Sequence, residues 1–229
     1  MAVTWLTAFL DFDPVDFDAG VSYWRDVTGY GISRPRGDDG EFASLLPPSG
    51  DPFLRVQRLG AGPGGVHLDV HAPGQEFEVR RSPGGLPYCL VSGAGGIRPE
   101  PVRWESASSL VDQVCLDIPP HLWEAECGFW AGLTGWELDQ GGRAEFRRLR
   151  KPDGQPVNVL LQRLDDTDAD RVTAHADLAA TNRDAEAQRH RQLGGTVVHR
   201  RAGWTVMRDP VGTTYCITDR RPWAEDETR

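Results

Sequence analysis

Apolar residues at positions 17, 21, 24 and 27 recur at 123, 127, 130 and 133. Each set follows the i, i+4, i+7 spacing that places side chains on one face of an amphipathic helix. Both helices end in similar text, YWRDVTGY at 23–30 and FWAGLTGW at 129–136, 106 positions apart. The spacing predicts that Gly29 and Gly135 supply left-handed C-terminal stops, after which an aromatic residue opens a strand. Tyr23, Trp24, Phe129 and Trp130 are therefore expected in the core, not in a site.

The same ruler extends along the chain. VQRL at 56–59 answers LQRL at 161–164, His67-Leu-Asp-Val answers His175-Ala-Asp-Leu, and Tyr88-Cys89-Leu answers Tyr215-Cys216-Ile. The last offset is 127 where the previous one is 108, so the second copy holds 19 more residues between its histidine and its Tyr-Cys. Those residues read as a helix, capped by Thr181-Asn-Arg-Asp184 and stopped by Gly194-Gly195. The first copy has only APGQEFEVRRSPGG there, which reads as turn, short strand and turn. Each copy thus comprises two units of strand, helix and further strands, with the helix missing from the second unit. The segment 93–106, rich in Gly and Pro, is the expected boundary. DPVG at 209–212, between two strand-like runs, predicts a hairpin.

Composition narrows the function classes. Net charge is −9 and the sequence pI about 5.1, which argues against nucleic acid or anionic membrane as partners. Lys151 is the only lysine beside an abundance of arginine, a bias expected of a GC-rich bacterial genome. The first residues read as a strand and not as a signal peptide, and no apolar run reaches the ~18 to 20 residues of a membrane span. With no export signal, Cys89, Cys115, Cys127 and Cys216 are expected as free cytoplasmic thiols. They show neither CxxC nor zinc-ribbon spacing.

The helix ending FWAGLTGW, the HLDV strand opening and the closing hairpin GWTVMRDPVGTTYCI resemble the vicinal oxygen chelate superfamily. That superfamily includes glyoxalase I, extradiol dioxygenases, fosfomycin resistance enzymes and bleomycin-binding proteins. The resemblance implies an α+β fold of two tandem glyoxalase-like domains, at 1–98 and 105–222. Each would be built of paired βαβββ modules with cupped mixed sheets, the second module lacking its helix. It also implies where metal ligands would stand: His or Gln on early strands, Glu on late ones. Here Cys89 and Cys216 occupy the late-strand glutamate position, Gln113 stands at an early-strand ligand position, and His67 and His175 are displaced from theirs by two residues. The modules' other late strands offer Arg55, Gln57, Asn158 and Gln162 but no carboxylate. The expectation is a cup without metal or other cofactor.

The ligand-binding residues expected on the cup faces are Arg55, Gln57, His67, Cys89, Gln113, Asn158, Gln162, His175, Trp204 and Cys216. The histidines serve as polar anchors or pair with Asp69 and Asp177, Arg55 suits an anionic group, and Trp204 and Trp5 suit a flat ligand. Each cysteine reads first as a small buried hydrophobe. The leading functional expectation is a protein that sequesters a small organic molecule, as resistance members do. The alternatives are a vicinal oxygen chelate enzyme, metal-dependent or using His175 for acid-base chemistry, and a degenerate scaffold. The sheet face left bare by the missing helix must be covered, either by the second domain or by a second copy in a homodimer.

Overall fold

The computed structural model describes residues 2–62, 64–140, 142–165 and 168–222. In chain order the first half holds β1 (Trp5–Phe12), α1 (Phe17–Thr28), β2 (Gly31–Ile32), β3 (Phe42–Leu46), β4 (Leu54–Arg58), β5 (Gly65–Ala72), β6 (Glu78–Arg81) and β7 (Pro87–Ser92). The second holds β8 (Val102–Arg103), β9 (Ser108–Ile118), α2 (Trp123–Thr134), β10 (Glu137–Gln140), β11 (Phe146–Arg150) and β12 (Asn158–Arg163). It continues with β13 (Thr173–Ala180), α3 (Arg183–Gln192), β14 (Thr196–Arg200), β15 (Trp204–Arg208) and β16 (Thr214–Thr218).

The two halves form separate sheets with the same wiring, ordered β2-β3-β4-β1-β5-β7-β6 and β10-β11-β12-β9-β13-β16-β15-β14. In each, the central strand runs parallel to one neighbour and antiparallel to the other: β1 to β4 and β5, β9 to β12 and β13. The sheets are mixed, and the fold is the α+β arrangement that the resemblance implies. No helix occupies 73–86; β6 is there instead.

The duplicated helix ends share one local mechanism. Thr28 and Thr134 each donate from Oγ1 to the carbonyl four residues back, Trp24 and Trp130, both at 2.7 Å. Each hydroxyl then accepts from the N–H of the aromatic residue that leaves the helix, Tyr30 or Trp136. Gly29 and Gly135 take φ of 68° and 70° between them, a region open to glycine at little steric cost. At α3 the cap is Asn182, not Thr181: its side chain accepts from the Ala185 N–H, while Thr181 Oγ1 accepts from Ser108 N–H on β9.

Each half lends its first helix to the other. α1 lies against β16, where Tyr23 and Tyr215 hydroxyls meet at 2.5 Å and the Trp24 indole donates to Asp209 in the DPVG turn. α2 lies against the helix-free unit of the first half. Tyr88 packs on the Phe129 and Trp130 rings at 5.7 and 5.6 Å, and buried Glu126 accepts from the Gly84 N–H at 2.5 Å. The bare face is covered from within the chain. Trp5, which suits either a cup wall or the core, is core.

Candidate functional site

Strand alternation builds two matched polar faces. On β1 it presents Thr7, Phe9 and Asp11, and directly across on β5 stand Asp69 and His67, with Cys89 on β7 beyond Asp69. On β9 it presents Gln113, Cys115 and Asp117; across on β13 stand Asp177 and His175, with Cys216 on β16 beyond Asp177. Arg55 and Gln57 on β4 flank the first set, and Leu160 and Gln162 on β12 flank the second.

Both faces open on one cavity of about 1530 Å³, lined by His67, Arg55 and Cys89 from the first half and by His175, Trp204 and Cys216 from the second. Gln57 and Gln162 line it as well. Gln113 and Asn158 do not line it. Gln113 donates to Asp177 Oδ2 at 2.5 Å, and Asn158 donates to the Asp112 carbonyl at 3.0 Å.

The histidines are held in the same way. His67 Nδ1 meets Asp11 Oδ2 at 2.6 Å, and His175 Nδ1 meets Asp117 Oδ2 at 2.7 Å. Asp69 and Asp177, the expected partners, lie at the other nitrogen: Nε2 to the nearer carboxylate oxygen is 3.8 Å for His67 and 3.3 Å for His175. Asp11 and Asp117 escaped the sequence reading, although Leu10-Asp11 and Leu116-Asp117 repeat at the helix offset of 106.

In the second cup, His175 Nε2 stands 3.6 Å from Cys216 Sγ, and Cys115, His175 and Asp177 each bring a donor atom within 4.8 Å of the others. Asp177 Oδ1 is buried with no hydrogen-bond partner. Burial opposes charge on His175, but Cys115, Asp117 and Asp177 around it outweigh burial and hold its pKa well above the ordinary range. Burial pushes the Cys115 thiol up to about 12 and raises that of Cys216 as well. The first cup groups His67, Asp69 and Cys89 in the same fashion. There, however, Phe9 stacks on His67 at 4.5 Å, and the Arg55 guanidinium sits 3.7 Å from Asp69.

Two residues beyond each histidine, on the same strand face, stand Asp69 and Asp177. The carboxylate missing from the late strand is thus present one strand over, beside the cysteine that replaced it.

A family model described as the glyoxalase-like domain matches residues 9–91 and 113–218. The chain belongs to the glyoxalase-like domain family. Its fold is that of the vicinal oxygen chelate superfamily. A glyoxalase from Novosphingobium aromaticivorans, solved with Mn(II) bound, is 16% identical with a TM-score of 0.62, covering 95% of this chain and 82% of that one. The 2,3-dioxygenase LapB from Pseudomonas sp. KL28 is 12% identical with a TM-score of 0.61, covering 95% and 91%. A mutant homoprotocatechuate 2,3-dioxygenase from Brevibacterium fuscum is 13% identical with a TM-score of 0.59, covering 99% and 74%. At these identities the likeness extends to the fold. A search of curated protein sequences gave no match. Among the described residues of this glyoxalase-like chain, no helix is long and apolar enough to cross a membrane.

Proposed function

We propose that this glyoxalase-like protein is an enzyme acting on a small organic molecule, with its reacting centre in the second cup and a divalent metal held there. One observation carries the reading. Cys115, His175 and Asp177 bring donor atoms within 4.8 Å of one another, His175 and Cys216 line the cavity, and Asp117 fixes the far side of the imidazole. A carboxylate behind a histidine is the usual way a metal-ligating imidazole is oriented and made more basic. Asp177 Oδ1 makes no hydrogen bond and has His175 Nε2 as a charged neighbour at 3.3 Å; a buried carboxylate oxygen without a hydrogen bond is costly, and a metal cation would satisfy it once His175 gives up its proton.

The residues fit such an ion. Cys115, His175 and Asp177 would hold it, with Cys216, 3.6 Å from His175 Nε2, a further donor, and the nitrogen, oxygen and sulfur set suits a divalent transition ion. Bound there, the ion would supply Lewis acidity toward adjacent substrate oxygens. The chain's own residues supply the rest. Asp117 sets which His175 nitrogen faces the cavity. Gln113 holds Asp177 Oδ2 so that Oδ1 points at the centre. Trp204, edge-on to Phe146 at 6.0 Å, makes a flat apolar wall for the substrate.

The sequestering, metal-free reading has its own support in the protons: burial keeps Cys115 and Cys216 protonated, the groups around His175 favour its charged form, and a metal must displace those protons. Metal analysis separates the two. Protein purified without chelator and then reconstituted with zinc, manganese or iron(II) is expected to retain about one ion per chain, and His175→Asn to lose it. A folded wild type that retains none at neutral pH would overturn the metal reading in favour of sequestration.

A further inference from the structure

The first cup carries an arginine that its own fold leaves largely unused. Arg55 Nε is buried without a hydrogen-bond partner, and Nη1 lies 3.7 Å from Asp69 Oδ2, beyond hydrogen-bond reach. Burial lowers its pKa, the direction expected of a cation poorly solvated in its site. A guanidinium has five donors in a planar fork; this one is 29% exposed, and its buried Nε–H without a partner is costly. The group faces the cavity above the Phe9 ring, at 5.6 Å, with Phe42 edge-on to Phe9 and Arg36 also on the cavity wall. The second cup has Leu160 at the matched position, so nothing in the shared fold requires a cation there.

Two acidic groups could oppose an anion at this place. Asp11 is engaged by His67, and burial raises the pKa of both Asp11 and Asp69, which favours their neutral forms. The lip of the same cavity is apolar and exposed: Val15, Phe77 and Val79 line it while 87%, 70% and 63% exposed. Large apolar side chains held in water beside a binding cavity mark a surface that a ligand covers.

We infer that the first cup is an anchor for the carboxylate of an apolar organic acid, gripped by Arg55 and lying along Phe9, Phe42, Phe77 and Val79. Because both cups open on one cavity, an acid anchored there has its far end directed toward His175. That orientation rests on the reading of the second cup as the reacting centre; the anchor itself does not. A bidentate guanidinium–carboxylate pair in a partly desolvated site is among the stronger polar contacts a protein makes.

Titration calorimetry with 2-naphthoate and its neutral isostere 2-naphthamide tests the anchor. Wild type is expected to bind the acid at least tenfold more tightly than the amide. Arg55→Leu, which copies the second cup, is expected to bring the two within about threefold, and Arg55→Lys to keep part of the preference. His175→Asn is expected to leave the preference intact, so loss of the metal centre and loss of the anchor are read separately. Equal binding of acid and amide by wild type would overturn the inference. So would a preference that survives in a folded Arg55→Leu, checked by near-UV circular dichroism. Tighter binding of 2-naphthyl phosphate than of 2-naphthoate would overturn the carboxylate assignment and point to phosphate esters.

Discussion

Phe9 and Cys115 occupy the same place on the central strands of the two cups, as do Thr7 and Gln113, Arg55 and Leu160, and His71 and Ala179. The Asp–His–Asp–Cys set is common to both; its neighbours are not. In the first cup Arg55 stands 3.7 Å from Asp69, and the Phe9 ring covers His67 where the second cup has the Cys115 thiol. In the second an amide positions Asp177 and two thiols flank His175. The second cup is also re-aimed by a bulge. The β9–β13 register shifts between Asp177 and Leu178, leaving Asp112 as an extra residue that pairs with Arg220. Bulges beside sites redirect side chains, and the β1–β5 pair runs through the matched place unbroken. On the two proposed readings, the same four residues stand beside an anchor in one half and hold a metal in the other, according to what lies next to them.

The sharpest break of that comparison is at the histidines. His175→Asn is expected to weaken binding of a divalent ion by at least about 100-fold, and Asp117→Asn, which only unfixes the ring, by about 10- to 100-fold. His67→Asn and Asp11→Asn are expected to leave metal affinity within about threefold. Competition against a chromophoric chelator measures all four. Equal losses from the two histidines would show that the cups act as one centre or as two equal ones.

Next in size is the helix exchange. Buried Glu126 accepts from Gly84 N–H at 2.5 Å and from the Trp130 indole at 2.8 Å, tying α2 to the helix-free unit of the first half. Glu126→Ala strands two buried donors at roughly 1 to 3 kcal/mol each, so a loss of about 3 kcal/mol is expected in urea denaturation. Glu126→Gln, which keeps an acceptor, is expected to cost about half of that. A change below about 0.5 kcal/mol for the alanine would mean that water or a neighbouring group replaces the carboxylate.

Much of this was legible before any coordinates, for a specific reason. The duplicated Thr-Gly ends, the extra 19 residues of the second copy and the DPVG turn are local signals, and local geometry enforces them. The histidines and cysteines were legible because they repeat. What the sequence hid was pairing across strands. Asp11 meets His67 over 56 residues and Asp117 meets His175 over 58, distances along the chain that only sheet register turns into contact. The late-strand glutamate position suggested a cup without carboxylate ligands. Register instead sets Asp177 directly beside Cys216. Likewise, nothing local says that Gln113 and Asn158 bond to Asp177 and the Asp112 carbonyl and do not line the cavity.

The smallest expected effect separates the cups by acid sensitivity. His71, two residues beyond Asp69, shares its Nε2 with the Thr7 hydroxyl at 2.9 Å, and its second-cup counterpart is Ala179. Burial first, and the Arg55 charge second, lower its pKa from 6.5 to about 4. A folded-state pKa below the unfolded value means that the unfolded chain takes up the proton first as pH falls. The stabilisation from keeping His71 neutral is therefore present above about pH 6.5 and lost progressively down to about pH 4. Between pH 7 and 5 this corresponds to about 1 to 2 kcal/mol of lost stability. His71→Ala, copying the second cup, lowers stability at pH 7 through its lost packing, but its urea midpoint is expected to fall less steeply over that interval. Arg55→Leu is expected to flatten the slope in part, because it removes the charge that helps depress His71. Parallel pH profiles for wild type and His71→Ala would show that the acid sensitivity of the first cup comes from another group.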